Sequence, residues 1–223
     1  VEGTSITKDF KTFKNSFVSE LGKSFQLKCN FYQEGKIPKM GVFTSKYDHC
    51  LYDILTQQRS GKLKCKIPFI ISNHMDLEGI ALQFDIPFYH IPVTKQNKKV
   101  AEEKQLEILQ QYEVDFIVLA RYMQIVSSKL IDLYPSKIIN IHHSFLPAFP
   151  GARPYHSAFN RGVKIIGATS HYVTEELDAG PIIEQDITRV SHEHEVADLI
   201  DKGQDLERIV LLRGLKLHCD RKI

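Results

Sequence analysis

The chain has 223 residues, which is enough for one α/β domain and a smaller fragment. Its 29 Lys and Arg residues and 27 Asp and Glu residues give a net charge of +2, and these charges are spread along the chain, which argues against a nucleic-acid-binding protein. No run approaches the roughly 18 consecutive apolar residues of a membrane helix, and the first residues are not typical of a signal peptide. We therefore expect a soluble, cytoplasmic protein that has no membrane partner.

Residues 1–35 are predicted to form one amphipathic helix and one short strand. Apolar residues recur at three- and four-residue steps from Phe10, and Gly22 closes the helix. The strand is expected at residues 25–31. Because a single helix and strand cannot bury a core, we interpret this segment as the end of a separate small α+β module. The first residue is Val1 rather than methionine, so we expect a trimmed chain. The removal of a transit peptide is one explanation that stays open.

From Lys39 onward, short apolar runs alternate with segments of helical length. The runs at residues 40–44, 68–71 and 114–120 are nearly continuous, as in strands that are covered on both faces. The segments between them carry apolar residues, Leu82 among them, at helical spacing, and this alternation predicts a mostly parallel, doubly wound α/β sheet. The turn after the first run lacks a Gly-x-Gly-x-x-Gly motif, so we expect no dinucleotide cofactor.

The strand predicted at residues 138–142 places two polar side chains at its exit. Asn140 and His142 are two residues apart, so they point to the same face of the strand. The next predicted strand carries His171 near its end, and the turn after it contains Asp178. Ligands of such sheets bind beyond the carboxyl ends of the strands. We therefore expect the hairpin to return Asp178 towards His142.

These side chains suit transfer or hydrolysis of an acyl group at a small carbonyl. An amide N–H can stabilise the developing oxyanion, and removing one such donor typically costs ~3 kcal/mol of barrier. A histidine and a carboxylate supply proton transfer to and from the reacting groups. Structural alternatives stay open at this point: Asn140 also suits a backbone hydrogen bond, Asp178 suits a turn, and His171 suits a hydrogen-bonded position in the core.

A metal site is the chemical alternative for the same region. Its candidate ligands are His142, His143, His156, His171 and Asp178. These residues do not follow the His-Glu-x-x-His pattern or a comparable ligand spacing. The four cysteines of the chain lie far apart without a Cys-x-x-Cys pair. We therefore expect no metal.

Two segments together resemble the folate-dependent formyltransferase family. They are Asn-Ile-His-His-Ser-Phe-Leu-Pro at residues 140–147 and the stretch from Gly-Ala-Thr-Ser-His to Asp-Ala-Gly-Pro at residues 167–181. The resemblance runs from about Met40 to the C-terminus and implies a Rossmann-like domain of the formyltransferase type at residues 39–223. It also implies a catalytic trio, which consists of Asn140, His142 and Asp178.

The resemblance further implies a folate pocket, in which the folate is the substrate and not a cofactor. The residues expected to bind it are Met123, Gln124, Ile125, Val126, Ile138, His143, His171, Val173 and Thr174. Gln124 departs from the arginine of some family members, so its contact is not carried over. Residues 1–35 resemble the end of an ACT module. That likeness implies an amino-acid effector, and we also expect a homo-oligomer.

Within the family, the double histidine and the loop after it resemble the deformylases, which hydrolyse 10-formyltetrahydrofolate to formate and tetrahydrofolate and thereby supply formate for purine biosynthesis. The alternative is glycinamide ribonucleotide formyltransferase, which shares the trio and holds a sugar phosphate on a glycine-rich loop after the first strand. Residues 45–50 are bulky there, which favours water as the acceptor. Methionyl-transfer-RNA formyltransferase would need a further RNA-binding domain, and a non-catalytic folate sensor would not need the trio.

Overall fold

The computed structural model describes residues 9–27, 29, 31, 35–148 and 153–223. The chain divides into two compact units, Val1–Ile37 and Pro38–Ile223. The boundary lies close to the one predicted from the change in apolar rhythm at Lys39.

The first unit contains the predicted amphipathic helix. Helix α1 spans Phe10–Phe17, and one π-helical turn over Val18–Gly22 follows it. Asp9 caps α1, because its carboxylate accepts hydrogen bonds from backbone N–H groups of the first turn, which have no partner within the helix. Phe13 and Phe17 on this apolar face each pack edge to face against Phe31. The helix and its end at glycine are as predicted.

The strand predicted at residues 25–31 is not formed at its start. Phe25 lies in a turn, and its backbone N–H donates to the carbonyl of Leu21 at 3.0 Å. This local hydrogen bond occupies the donor that a neighbouring strand would need, so the expectation is wrong there. Residues 28 and 30 of the predicted strand lie outside the described residues.

The second unit is built on a seven-stranded sheet in the order β3-β2-β1-β4-β5-β6-β7. The strands are β1 Met40–Thr44, β2 Ile70–Ser72, β3 Phe88–His90, β4 Phe116–Ala120, β5 Ile138–His142, β6 Ile165–Tyr172 and β7 Ile182–Arg189. The first five pair in parallel, whereas β6 runs antiparallel to β5 and β7 antiparallel to β6. The predicted mostly parallel α/β fold is confirmed, and β3 is an addition to it.

Helices cover both faces of this sheet. They are α2 His49–Arg59, α3 Glu78–Gln83, α4 Lys98–Gln111, α5 Ser128–Leu133, α6 Pro154–Arg161 and α7 Val196–Cys219. Val42 packs into one hydrophobic cluster with α2 and α7, and its neighbour Phe43 packs into the other with α4 and α5. A core on each face explains the continuous apolar strands. Leu82 was expected in that core, but it is 76% exposed because the short α3 buries Ile80 and Ala81 instead.

The strand order fixes where a ligand can bind. β1 lies between β2 and β4, so the chain reverses its direction of winding between these neighbours, and a crevice forms beyond the carboxyl ends of β1 and β4. β5 ends next to β4, and β6 brings His171 opposite Asn140. None of the helices in the described part of the chain combines the length and the apolar character needed to cross a membrane.

Candidate active site

A cavity of about 260 Å³ opens beside the end of β5. Asn140 and His142 both line it, as the alternation of side chains along a strand predicts. Asn140 is half-buried and His142 is buried. The amide therefore faces a space that a small ligand can enter, while the imidazole is held against the core.

Asp178 returns to the same cavity through the turn after β6. Its carboxylate oxygens lie 3.3 Å from Nδ1 of His142 and 3.7 Å from Nε2 of His171. The return requires Gly180, because a Cβ at that position would collide with the carbonyl oxygen of Tyr172. The predicted convergence of Asp178 and His142 is therefore present, and only a glycine permits it.

His171 orients the amide of Asn140. Nδ1 of His171 lies 2.9 Å from the carbonyl oxygen of Tyr172, and a carbonyl only accepts, so Nδ1 carries the proton. Burial lowers the pKa of His171, which favours the neutral ring, so its Nε2 is an acceptor for the Asn140 amide at 3.2 Å. One N–H of that amide is thereby fixed, and the second is available to a ligand in the cavity.

The predicted folate-binding residues fall into two groups. Those that line the cavity are Met123, Gln124, Ile125, Val126, His143, His171, Val173 and Thr174. Ile138 does not line it: the side chain is 1% exposed and packs in the hydrophobic core. Its carbonyl accepts a hydrogen bond from the backbone N–H of Val173 at 2.8 Å. Ile138 thus holds the exit of β6 rather than facing a ligand.

A buried polar cluster on the far side of His143 was not predicted. The His143 ring lies 5.2 Å from that of His142 and 5.7 Å from that of Tyr155, centroid to centroid. The Tyr155 hydroxyl donates to Glu207 at 2.6 Å. Gly203, one turn before Glu207 on α7, makes room for that hydroxyl, which a Cβ there would strike. The trio is therefore connected through two aromatic side chains to a buried carboxylate.

Glu207 is fully buried and is surrounded by donors. Nε2–H of His49 donates to it at 2.8 Å, and Nε of Arg121 lies 3.3 Å away. Burial raises the pKa of Glu207, but the hydrogen bonds from His49 and Tyr155 and the charge of Arg121 outweigh it, so that the pKa is lowered overall. The carboxylate is therefore ionised and compensated by Arg121.

The residues considered as an alternative metal site do not converge as a set. His156 is exposed on α6 and is absent from the cavity lining. Within the described ranges, the group with metal-ligand spacing is a different one, namely His49, Cys50 and Glu207. Burial raises the pKa of the Cys50 thiol, and Arg121 already provides the positive charge beside Glu207. These residues do not fit a cation.

The fold and this cavity define a formyltransferase-type domain, and the comparison of sequences agrees. The model of the formyl transferase family matches residues 38–215, and the chain belongs to that family. Among curated relatives, a formyltetrahydrofolate deformylase of Synechocystis sp. is 54% identical over 92% of this chain and 72% of its own. The deformylase of Bacillus subtilis is 44% identical over 92% of this chain and 68% of its own.

Solved structures of both deformylases and transformylases superimpose on this chain. A formyltetrahydrofolate deformylase from Pseudomonas syringae superimposes with a TM-score of 0.93 at 43% identity, covering 97% of this chain and 72% of that one. A glycinamide ribonucleotide transformylase from Symbiobacterium toebii superimposes with a TM-score of 0.77 at 32% identity, covering 86% and 92%. The likeness to the deformylase is greater in both structure and sequence.

Proposed function

We propose that Asn140, His142 and Asp178 catalyse the hydrolysis of 10-formyltetrahydrofolate to formate and tetrahydrofolate. The observation that carries this proposal is their convergence on one cavity, with Asp178 3.3 Å from His142. The activity is the one that names the deformylase relatives. The folate is the substrate, and no cofactor takes part in the steps we derive below.

Each member of the trio has one task in this mechanism. The Asp178 carboxylate takes a proton from a water molecule, whose oxygen attacks the formyl carbon. The free N–H of Asn140 and the His142 ring donate to the oxyanion of the tetrahedral intermediate. The bond from the formyl carbon to N10 of the folate then breaks, and His142 passes a proton to that nitrogen. The proton that Asp178 took from water returns to His142, 3.3 Å away, and restores both groups. Formate and tetrahydrofolate leave.

We propose that the folate lies against the cavity wall formed after β4 and β6. Ile125, Val126 and Val173 offer apolar surface to a ring system there, and Gln124 and Thr174 offer polar groups at its edge. His143 packs against His142 and so limits the positions that the catalytic ring can adopt. We assign His143 the task of holding that ring.

We extend the proposal to the regulation, the assembly and the location of the enzyme. Residues 1–35 are proposed to belong to an ACT-like module that binds an amino-acid effector. The enzyme is proposed to be a cytoplasmic homo-oligomer whose formate serves purine biosynthesis. Titration with free amino acids, followed by light scattering for the mass of the assembly, tests the effector and the oligomer.

The decisive experiment supplies 10-formyltetrahydrofolate without an amine and measures formate and tetrahydrofolate. We expect both products in equal amounts, and we expect glycinamide ribonucleotide to change neither rate. The structural neighbours named as glycinamide ribonucleotide transformylases make that second arm necessary. Formylation of glycinamide ribonucleotide in place of formate release would establish the transferase instead.

A further inference from the structure

The crevice beyond the ends of β1 and β4 is closed by the chain's own side chains. Doubly wound sheets bind ligands at this place. Here Tyr47 and His49 enter from the segment after β1, Arg121 follows β4 directly, and Glu207 projects from α7. Glu207 is fully buried and Arg121 is 7% exposed. Two opposite charges thus occupy a place that a ligand would otherwise take.

These four side chains hold one another. Glu207 receives the His49 N–H at 2.8 Å and pairs with Nε of Arg121 at 3.3 Å. The Arg121 guanidinium lies over the Tyr47 ring, 4.8 Å from its centroid. A guanidinium held on one side by a carboxylate and on another by an aromatic face has little freedom to move aside.

Arg121 is the member of this group that reaches the catalytic cavity. It lines the same cavity as Asn140, His142 and Asp178, whereas Tyr47, His49 and Glu207 do not line it. Arg121 is therefore the wall, and the other three lie behind it. Removing its side chain would join the cavity to the crevice at the switch point.

We propose that this Arg121 plug, which is Arg121 held by Glu207, His49 and Tyr47, restricts the acceptor of the formyl group to water. The inference rests on the proposed hydrolysis and names what decides its specificity. With either nucleophile, a lone pair forms the new bond to the formyl carbon, the bond to N10 breaks, and a proton from the nucleophile reaches N10. Water needs only a small space for this, while an amine on a larger skeleton needs the path that the plug closes.

The test is a partition experiment with glycinamide as the amine probe. The chain turns over 10-formyltetrahydrofolate in its presence, and the ratio of N-formylglycinamide to formate is measured by mass spectrometry. The double variant Arg121→Ala with Glu207→Gln removes the wall and both buried charges together. Arg208→Ala is the matched control, because Arg208 is a more exposed arginine on α7 that pairs with Asp205. We expect the ratio to rise at least about tenfold in the double variant and to stay unchanged in the control.

The other possible results refute either this proposal or the proposed hydrolysis. An unchanged ratio in a folded double variant overturns the plug. A double variant that binds tetrahydrofolate normally but forms neither formate nor N-formylglycinamide also overturns it, since Arg121 would then belong to the catalytic machinery. If the double variant does not fold, Tyr47→Ala decides, because it frees the guanidinium from its exposed side, and an unchanged ratio there has the same meaning. Wild-type chain that releases no formate refutes the hydrolysis itself.

Discussion

Replacing Asp178 by Asn should remove the base while keeping the shape of the site. The side chain is 10% exposed and lies between His142 and His171, so an amide of the same size fits in its place. The amide cannot take a proton from water, and it carries no charge to stabilise a protonated His142 in the transition state. Both losses act on the chemical step rather than on the binding of folate.

The size of the effect follows from these two losses. Loss of a general base typically lowers the rate by ~10²–10⁴-fold. A pair of unit charges about 3–4 Å apart is worth ~4 kcal/mol at an effective dielectric constant of ~20, and part of this is felt only when His142 becomes protonated. We expect kcat to fall by about 10³–10⁵-fold, which corresponds to about 4–7 kcal/mol of barrier.

Steady-state release of formate measures this prediction, and Glu175→Gln is the control. Glu175 lines the same cavity but is exposed and makes no ion pair with a histidine among those the structure records for the described residues. Its substitution should change kcat by less than about threefold, and KM should be nearly constant in both variants. An Asp178→Asn enzyme that keeps more than about a tenth of wild-type kcat, or whose loss lies mainly in KM, would refute the assignment of the base.

Three further substitutions test the surroundings of the trio. His171→Phe removes the acceptor that orients Asn140, so kcat should fall ~10²-fold with tetrahydrofolate affinity kept in a direct titration; an unchanged kcat would contradict this. The pKa of Glu207 is lowered by folding, so its ionised carboxylate stabilises the fold above the unfolded-state pKa of about 4.3, and this stabilisation is lost as the pH falls through the folded-state pKa. In urea unfolding, the wild type should therefore be more stable than Glu207→Gln at neutral pH, and the difference should shrink below about pH 4. Gly203→Ala strikes the tyrosine hydroxyl that binds Glu207 and should cost about 1–3 kcal/mol of unfolding free energy, whereas Gly79→Ala, with open space around it, should cost nothing.

The strands and the pairing of Asn140 with His142 were accessible from the sequence because their causes are local. A strand buried on both faces is a continuous apolar run, as at Phe116–Ala120. Two side chains two residues apart on a strand share a face, which places Asn140 with His142. β3 was missed because Phe88–His90 has three residues, and none of them is fully buried. A strand so short and so exposed has no apolar run to detect.

The Arg121 plug was not accessible, because its members are distant in sequence. His49 and Glu207 are 158 residues apart and meet only when α7 packs across α2. Ile138 was placed in the folate pocket by the resemblance. It shares a face of β5 with Asn140 and His142, but it is the first residue of the strand, away from the exit, and its side chain is buried in the core. A cavity is formed by side chains that tertiary packing brings together, and the periodicity of a local segment does not predict which side chains these are.

The charges of the plug also bear on the trio. Glu207 and Arg121 are buried together and compensate each other, so the field that this side of the cavity exerts on the formyl group is small. Asp178, beside His142, is then a carboxylate whose charge no buried arginine among the described residues cancels. Removing Arg121 alone would expose the cavity to a second negative charge and would disturb hydrolysis for an electrostatic reason unrelated to space. The two residues must therefore be changed together if an altered choice of nucleophile is to be attributed to the opened wall.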